Sequence, residues 1–205
     1  MNPEEELKQV AAEVSVCVDC RLHHSRKNAV PGEGPANADL MFIGEGPGFH
    51  ENEQGRPFVG AAGRFLEELL ESIGMKREDV FIANVVKCRP PGNRDPQADE
   101  IDECSKYLER QIRAINPKVI VTLGRFSMGR YFPGARISTI HGQAHVVNHR
   151  LIVPMYHPAA ALHQPSLRQV VQEDFSRLPE MIAKGESMPP SDAAPPVDAE
   201  QLNLF

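Results

Sequence analysis

The 205-residue chain predicts an α/β fold, a three-layer α/β/α sandwich around a mainly parallel four-stranded sheet. Two features predict it. Four short runs rich in Val, Ile, Leu and Phe, at residues 39–44, 80–86, 118–124 and 151–156, alternate along the chain with amphipathic helical patterns. Within each run the apolar residues follow one another instead of alternating with polar ones, as in strands covered on both faces. Strand–helix–strand order of this kind places a parallel sheet between two helical layers.

The elements follow in order. Residues 4–16 form a first helix, with Leu7, Val10, Ala11 and Val14 at helical spacing. Residues 61–73 and 97–115 are amphipathic helices, and Asp95 and Pro96 supply a cap and a first helical residue for the second. A shorter helix spans 125–132, residues 136–140 and 143–147 read as a small hairpin, and 166–182 closes the domain as a last helix. From Gly185 the pattern ends. GESMPPSDAAPPVDAE is built of Pro, Ala, Ser and acids and cannot bury enough to offset its ordering. The chain therefore divides into a domain at 1–184 and a tail at 185–205, although apolar residues return in the final QLNLF.

The acidic start MNPEEEL lacks an apolar targeting segment, and the longest apolar runs are far too short to cross a bilayer. A soluble, cytoplasmic monomer is the expectation. The net charge of −6 does not suggest a nucleic-acid partner, but its distribution permits one. Three Glu against one Lys in residues 1–9, and four acids in the tail, account for all of it. The span between is neutral and leaves room for a local phosphate-contacting surface.

Four cysteines are present: Cys17 and Cys20 as C-x-x-C, Cys88 directly after a strand, and Cys104 inside a helix. With no secretory signal, a disulfide framework is disfavoured. Thiolate-only ligation suits zinc or an iron–sulfur cluster, and the spacing accepts either. Such a site would pin the first helix and the Cys88 loop to the domain.

Ligands of parallel α/β sheets bind beyond the carboxyl ends of the strands. After the first strand comes GEGPGFHENEQGRPFVGAAG, after the second Asn84 and KCRPPGNRDP, and after the last HPAAAL. Three loops thus bring Glu45, Glu51, Phe58, Asn84 and His157 to one face. Each has a plain structural explanation alone: the Gly-rich loop as a tight turn or phosphate cradle, Phe58 as core, Asn84 as a turn-former. Without G-K-[ST] the loop is no nucleotide P-loop. Their common location is what argues for a site.

GEGPG, GRPFVG, NVVKCRPPGNRDP, HPAAAL and the four cysteines together resemble the family 4 uracil-DNA glycosylases, the iron–sulfur branch. The resemblance spans residues 17–162. It implies the fold of that family, a [4Fe–4S] cluster on Cys17, Cys20, Cys88 and Cys104, and uracil-containing DNA as substrate. Family 1 relatives carry an Asp where this chain has Gly46, as is usual in family 4. Covalently trapping relatives carry a basic insertion ending in His, and between Glu51 and Gly60 only NEQGRPFV is found. A cleaving enzyme is implied over a binder without turnover; a zinc-stabilised nucleotide-binding domain is the other alternative.

The roles implied are these. Gly44 and Gly46 are implied substrate-binding positions, and Phe58 stacks on the flipped base. Asn84 pairs with uracil N3–H and O4, and His157 donates toward O2 as negative charge develops on the ring. Glu45 or Glu51 handles the water and the cationic sugar, with the division between them open; exclusion of thymine by its methyl group is the alternative role for Glu51. Arg89, Asn93 and Arg94 are candidate DNA contacts, and Leu162 is a candidate wedge beside the flipped nucleotide. The last residues resemble the Q-L-x-L-F peptide by which bacterial repair proteins dock on the sliding clamp, with Gln201, Leu202, Leu204 and Phe205 as contacts.

Overall fold

The computed structural model describes residues 2–186. The tail from residue 187, including the expected clamp-binding positions Gln201, Leu202, Leu204 and Phe205, lies outside the described residues.

Helix α1 (Pro3–Val16) begins with a capping box. Asn2 accepts from Glu4 N at 2.9 Å, Glu5 reaches back to Asn2 N at 3.3 Å, and Pro3 occupies the first turn, where its missing N–H costs nothing. Then come β1 (Leu40–Gly44), α2 (Phe49–Gln54), α3 (Ala61–Ser72), β2 (Phe81–Asn84) and α4 (Ala98–Ile115). The second half comprises β3 (Val119–Leu123), α5 (Arg125–Gly129), α6 (Ile137–Ile140), β4 (His145–Val147), β5 (Arg150–Met155), α7 (Pro158–His163), α8 (Ser166–Ser176) and α9 (Leu178–Glu186).

The sheet runs β2-β1-β3-β5-β4, with the first four strands parallel. Alternate residues of the fully buried β1 enter two separate cores. Leu40 and Phe42 pack with Phe65, Leu66 and Leu69 of α3 and with Phe175 of α8. Met41 and Ile43 pack with Val10 and Val14 of α1 and with Leu108 and Ile112 of α4. Two cores on opposite faces of one sheet make the three layers that the apolar runs predict, since a strand residue has no polar face to spare.

Besides shifts at the ends of β2 and α5, three elements differ from the sequence expectation. A fifth strand, β4, joins the sheet antiparallel to β5, so the hairpin is His145–Val147 with β5, and Ile137–Ile140 is a helical turn. The reason lies in Asn148 and His149, both at positive φ (51° and 59°), which form the tight turn favoured between antiparallel strands. Helix α4 starts two residues beyond Pro96, with Gln97 as N-cap and Glu100 reaching back to its N–H at 2.8 Å. Asp95 does not cap, because its carboxylate is engaged by Arg125. The expected last helix breaks at Arg177 into α8 and α9, and Gly185 belongs to α9, buried against Lys118 and Val119.

Candidate active site

All three loops reach one cavity of about 230 Å³ at the carboxyl ends of the strands. Glu45, Gly46, Glu51, Phe58, Asn84, Asn93, Arg94 and His157 all line it. Gly44, expected to contact substrate, does not line the cavity but lies against two residues that do. A Cβ there would stand 2.4 Å from Asn84 Oδ1 and 2.8 Å from the Phe58 ring, so only glycine leaves room for both side chains where they lie. Arg89 reaches the rim through Asn93, whose Oδ1 accepts from Arg89 Nε at 2.7 Å. Leu162 does not line the cavity; it stands exposed on α7.

Asn84 is buried, yet its Oδ1 has no hydrogen-bond partner among the described residues. A buried amide oxygen left unpaired costs about 1–3 kcal/mol, and native chains retain such groups where something else pairs with them. Its backbone carbonyl, by contrast, accepts from Lys87 Nζ at 3.0 Å.

His157 caps α7, and its Nδ1 accepts from Ala159 N at 3.1 Å. A backbone amide only donates, so Nδ1 is unprotonated and the neutral ring carries its hydrogen on Nε2. Burial lowers the pKa of His157 to about 4 against the opposing pull of Glu51, so the ring is neutral at physiological pH. It lies beside Phe58 with centroids 5.4 Å apart and planes 24° from parallel.

Phe58 holds φ at 51°, a conformation that costs a non-glycine residue about 1–2 kcal/mol. Surrounding groups enforce it. Arg77 Nη1 donates to Phe58 O at 2.9 Å and Nη2 donates to Pro57 O. A Cβ on Gly63 would fall 1.9 Å from Phe58 O. Glu51 accepts from Val59 N and Gly60 N, both at 2.9 Å, through one oxygen, and from Gly48 N at 3.1 Å through the other. Arg77 is not legible in the sequence as a site residue, because its partners here are backbone carbonyls that no residue type announces.

The two glutamates therefore differ. Both oxygens of Glu51 are committed to backbone amides. The Glu45 carboxylate accepts no hydrogen bond among the described residues, and burial, with Asp95 nearby, raises its pKa against the weaker pull of Arg125. Arg94, which also lines the cavity, forms a two-pronged ion pair with the fully buried Glu100, at 2.6 and 2.9 Å.

A second cavity gathers Cys17, Cys20, Cys88 and Cys104 with Leu22, Arg26 and Tyr107. All four cysteines are free thiols, and burial pushes Cys104 up to about 12. Lys87 N donates to Cys104 Sγ at 3.2 Å, and Arg26 Nη1 points at Cys88 Sγ from 3.6 Å. No three His, Cys, Asp or Glu side chains among the described residues converge closely enough to hold one metal ion. The donor set still suits a polynuclear thiolate-bound group, whose ligands surround it at wider spacing than the sulfurs of a single ion, each about 2.3 Å from one centre.

The Uracil DNA glycosylase superfamily profile matches residues 31–178. The type-4 uracil-DNA glycosylase of Sulfurisphaera tokodaii is 49% identical over 187 residues, 85% of this chain and 84% of its own. Those of Archaeoglobus fulgidus and Thermotoga maritima are 44% and 42% identical, over 88% and 90% of this chain and 95% and 99% of theirs. The chain belongs to the type-4 uracil-DNA glycosylases. In this type-4 chain the matched superfamily region takes in both glutamates, Phe58, Asn84 and His157, together with Cys88 and Cys104, whereas Cys17 and Cys20 precede it.

Proposed function

We propose that this protein is a DNA repair enzyme that flips uracil out of DNA and hydrolyses its N-glycosidic bond, opening base excision repair. One observation carries the reading: an unpaired, buried Asn84 Oδ1 and a His157 with its hydrogen fixed on Nε2 face one cavity beside the Phe58 ring. Uracil N3–H satisfies the first. The developing anion at O2 receives the second, a neutral donor that needs no proton transfer to act. Cytosine, unprotonated at N3, leaves Asn84 Oδ1 unpaired and is rejected. Glu45, whose carboxylate has no hydrogen-bond partner among the described residues, orients the attacking water and faces the cationic sugar, while Glu51 holds the loop that shapes the pocket.

The test is incubation of purified protein with a uracil-containing oligonucleotide, followed by alkaline cleavage. Cleavage at the uracil position is expected; binding without cleavage would point to the non-catalytic alternative. The two acid groups also separate by pH. Water activation needs the deprotonated Glu45, so activity falls as pH drops through its raised pKa, before His157 titrates near 4. Glu45→Gln is expected to slow excision and to move the remaining acid limb of kcat/KM down toward pH 4. A limb that stays in place removes Glu45 from the role.

Arg77 acts through Phe58 and is a positioning residue. Arg77→Lys keeps the charge but loses the planar fork that grips two carbonyls. It is expected to raise KM about tenfold with kcat within about twofold, the size of one or two lost hydrogen bonds. An unchanged KM would show that Phe58 is held without it.

The four thiols support a [4Fe–4S] cluster in the second cavity, held by Cys17, Cys20, Cys88 and Cys104. When bound, such a group supplies a covalent tie between segments distant in sequence. The N–H groups of Lys87 and Arg26 would then donate to ligand sulfurs.

The QLNLF end supports docking on a bacterial sliding clamp, with Leu and Phe as anchors on a Pro-rich tether that raises local enzyme concentration at new DNA. Full-length chain is expected to bind purified clamp and a chain ending at Glu200 is not; equal binding refutes this. A monomer in the cytoplasm fits that reading, and no helix among the described residues is long and apolar enough to cross a membrane.

A further inference from the structure

Phe49, the first residue of α2, is 54% exposed, while Phe42, Phe58, Phe65, Phe81 and Phe175 are buried. An exposed phenylalanine by itself is unremarkable. Its setting is what matters. Gly48 and Glu51, on either side of it, line the candidate active-site cavity. The Arg89 guanidinium lies over its ring, 5.3 Å from the centroid. Arg89 in turn donates to Asn93, which lines the cavity with Pro90. Phe49, Arg89 and Asn93 thus form a continuous rim joining the loops after β1 and β2. His50 meets the Phe49 ring edge-on, with centroids 5.5 Å apart and planes at 83°.

Charge singles out Arg89 as well. Arg94 is spent on Glu100 and Arg125 on Asp95, whereas Arg89 forms no ion pair with a carboxylate among the described residues. The rim therefore offers an exposed aromatic ring with a cation over one of its faces, unpaired with any carboxylate among the described residues, at the mouth of a cavity sized for a base.

We propose that Phe49 and Arg89 form a second nucleotide subsite, in which the base next to the extruded uracil stacks on Phe49 and its phosphate meets Arg89. The proposal rests on the glycosylase reading above and names the part of the strand that its site grips. Extruding one nucleotide leaves its neighbours without a stacking partner on one side. An exposed aromatic replaces that partner for any sequence, because every base presents a π-face, and a cation beside it neutralises the backbone.

The experiment uses single-stranded oligonucleotides with one central uracil, in a normal form and in a form whose two flanking nucleotides are abasic spacers. On the normal strand Phe49→Ala is expected to raise KM roughly tenfold with kcat within about twofold, and Phe49→Trp to restore it. On the spacer strand wild type and Phe49→Ala should be alike. A binding readout runs in parallel: 2-aminopurine beside a hydrolysis-resistant 2′-fluoro-deoxyuridine is expected to be quenched by wild type on one flank and not by Phe49→Ala. Wild-type excision with an unchanged KM in Phe49→Ala, or the same loss on both strands, overturns the subsite alone. Failure of the wild type to excise uracil from either strand overturns the glycosylase reading and the subsite with it.

Discussion

Asn84→Ala is expected to cut uracil excision roughly 10³-fold while leaving the protein at least as stable as the wild type. The two halves of that expectation have one cause. Asn84 Oδ1 is buried with no partner among the described residues, so removing it takes nothing from the fold's hydrogen bonding and relieves an unpaired acceptor. The small cavity left behind works against that gain and keeps the net change near zero. A residue kept for packing behaves in the opposite way, losing stability first and activity as a consequence. The measurement is kcat/KM on a uracil-containing oligonucleotide beside a thermal unfolding curve for both proteins. An Asn84→Ala variant within tenfold of wild type, or one that loses activity only in step with its melting temperature, would show that Asn84 is a turn-former at a strand end.

Asn84 also shows where the sequence is informative. A parallel sheet buried on both faces writes itself as uninterrupted apolar runs, and such a sheet presents its loops at one end. Asn84 was legible as the polar residue that interrupts the second run near its carboxyl end, and His157 because it directly follows the last run. The four cysteines were legible as a set because C-x-x-C is rare by chance, and the structure brings all four to one cavity. What stayed hidden was held by backbone atoms. Nothing in the residue types says that Glu51 spends both oxygens on Gly48, Val59 and Gly60, or that Arg77 grips the carbonyls of Pro57 and Phe58. The division between Glu45 and Glu51 was therefore open in sequence and differs in geometry. The pairing of Arg94 with Glu100 of the following helix was hidden as well, because it depends on where α4 begins. The β4 strand was missed as a partner of β5 because Asn148 and His149 form the tight hairpin turn without the glycine that usually signals one.

Cys104→Ala is expected to yield colourless protein that melts about 10–20 °C below the wild type. Helix α1 packs on α4 through Val10 and Val14, and Arg110 of α4 pairs with Glu6 and Glu13. Those ion pairs are partly solvated and contribute little beyond the apolar contacts. Cys17 and Cys20 follow α1, Cys88 follows β2, and Cys104 lies in α4. A cluster bound by all four would join three segments at once, and binding available only to the folded chain adds directly to its stability. In the cluster's absence, burial holds Cys104 as a neutral thiol, so the site gains from deprotonation only when a cation is supplied. Iron and zinc content, visible absorbance before and after dithionite, and melting curves of wild type and Cys104→Ala decide the matter together. About four iron atoms per chain in the wild type, bleached by dithionite and lost in the variant along with stability, is the expected outcome. About one zinc per chain and no colour would replace the cluster with a single ion, and equal melting temperatures with no metal in either protein would leave the four thiols as ordinary core.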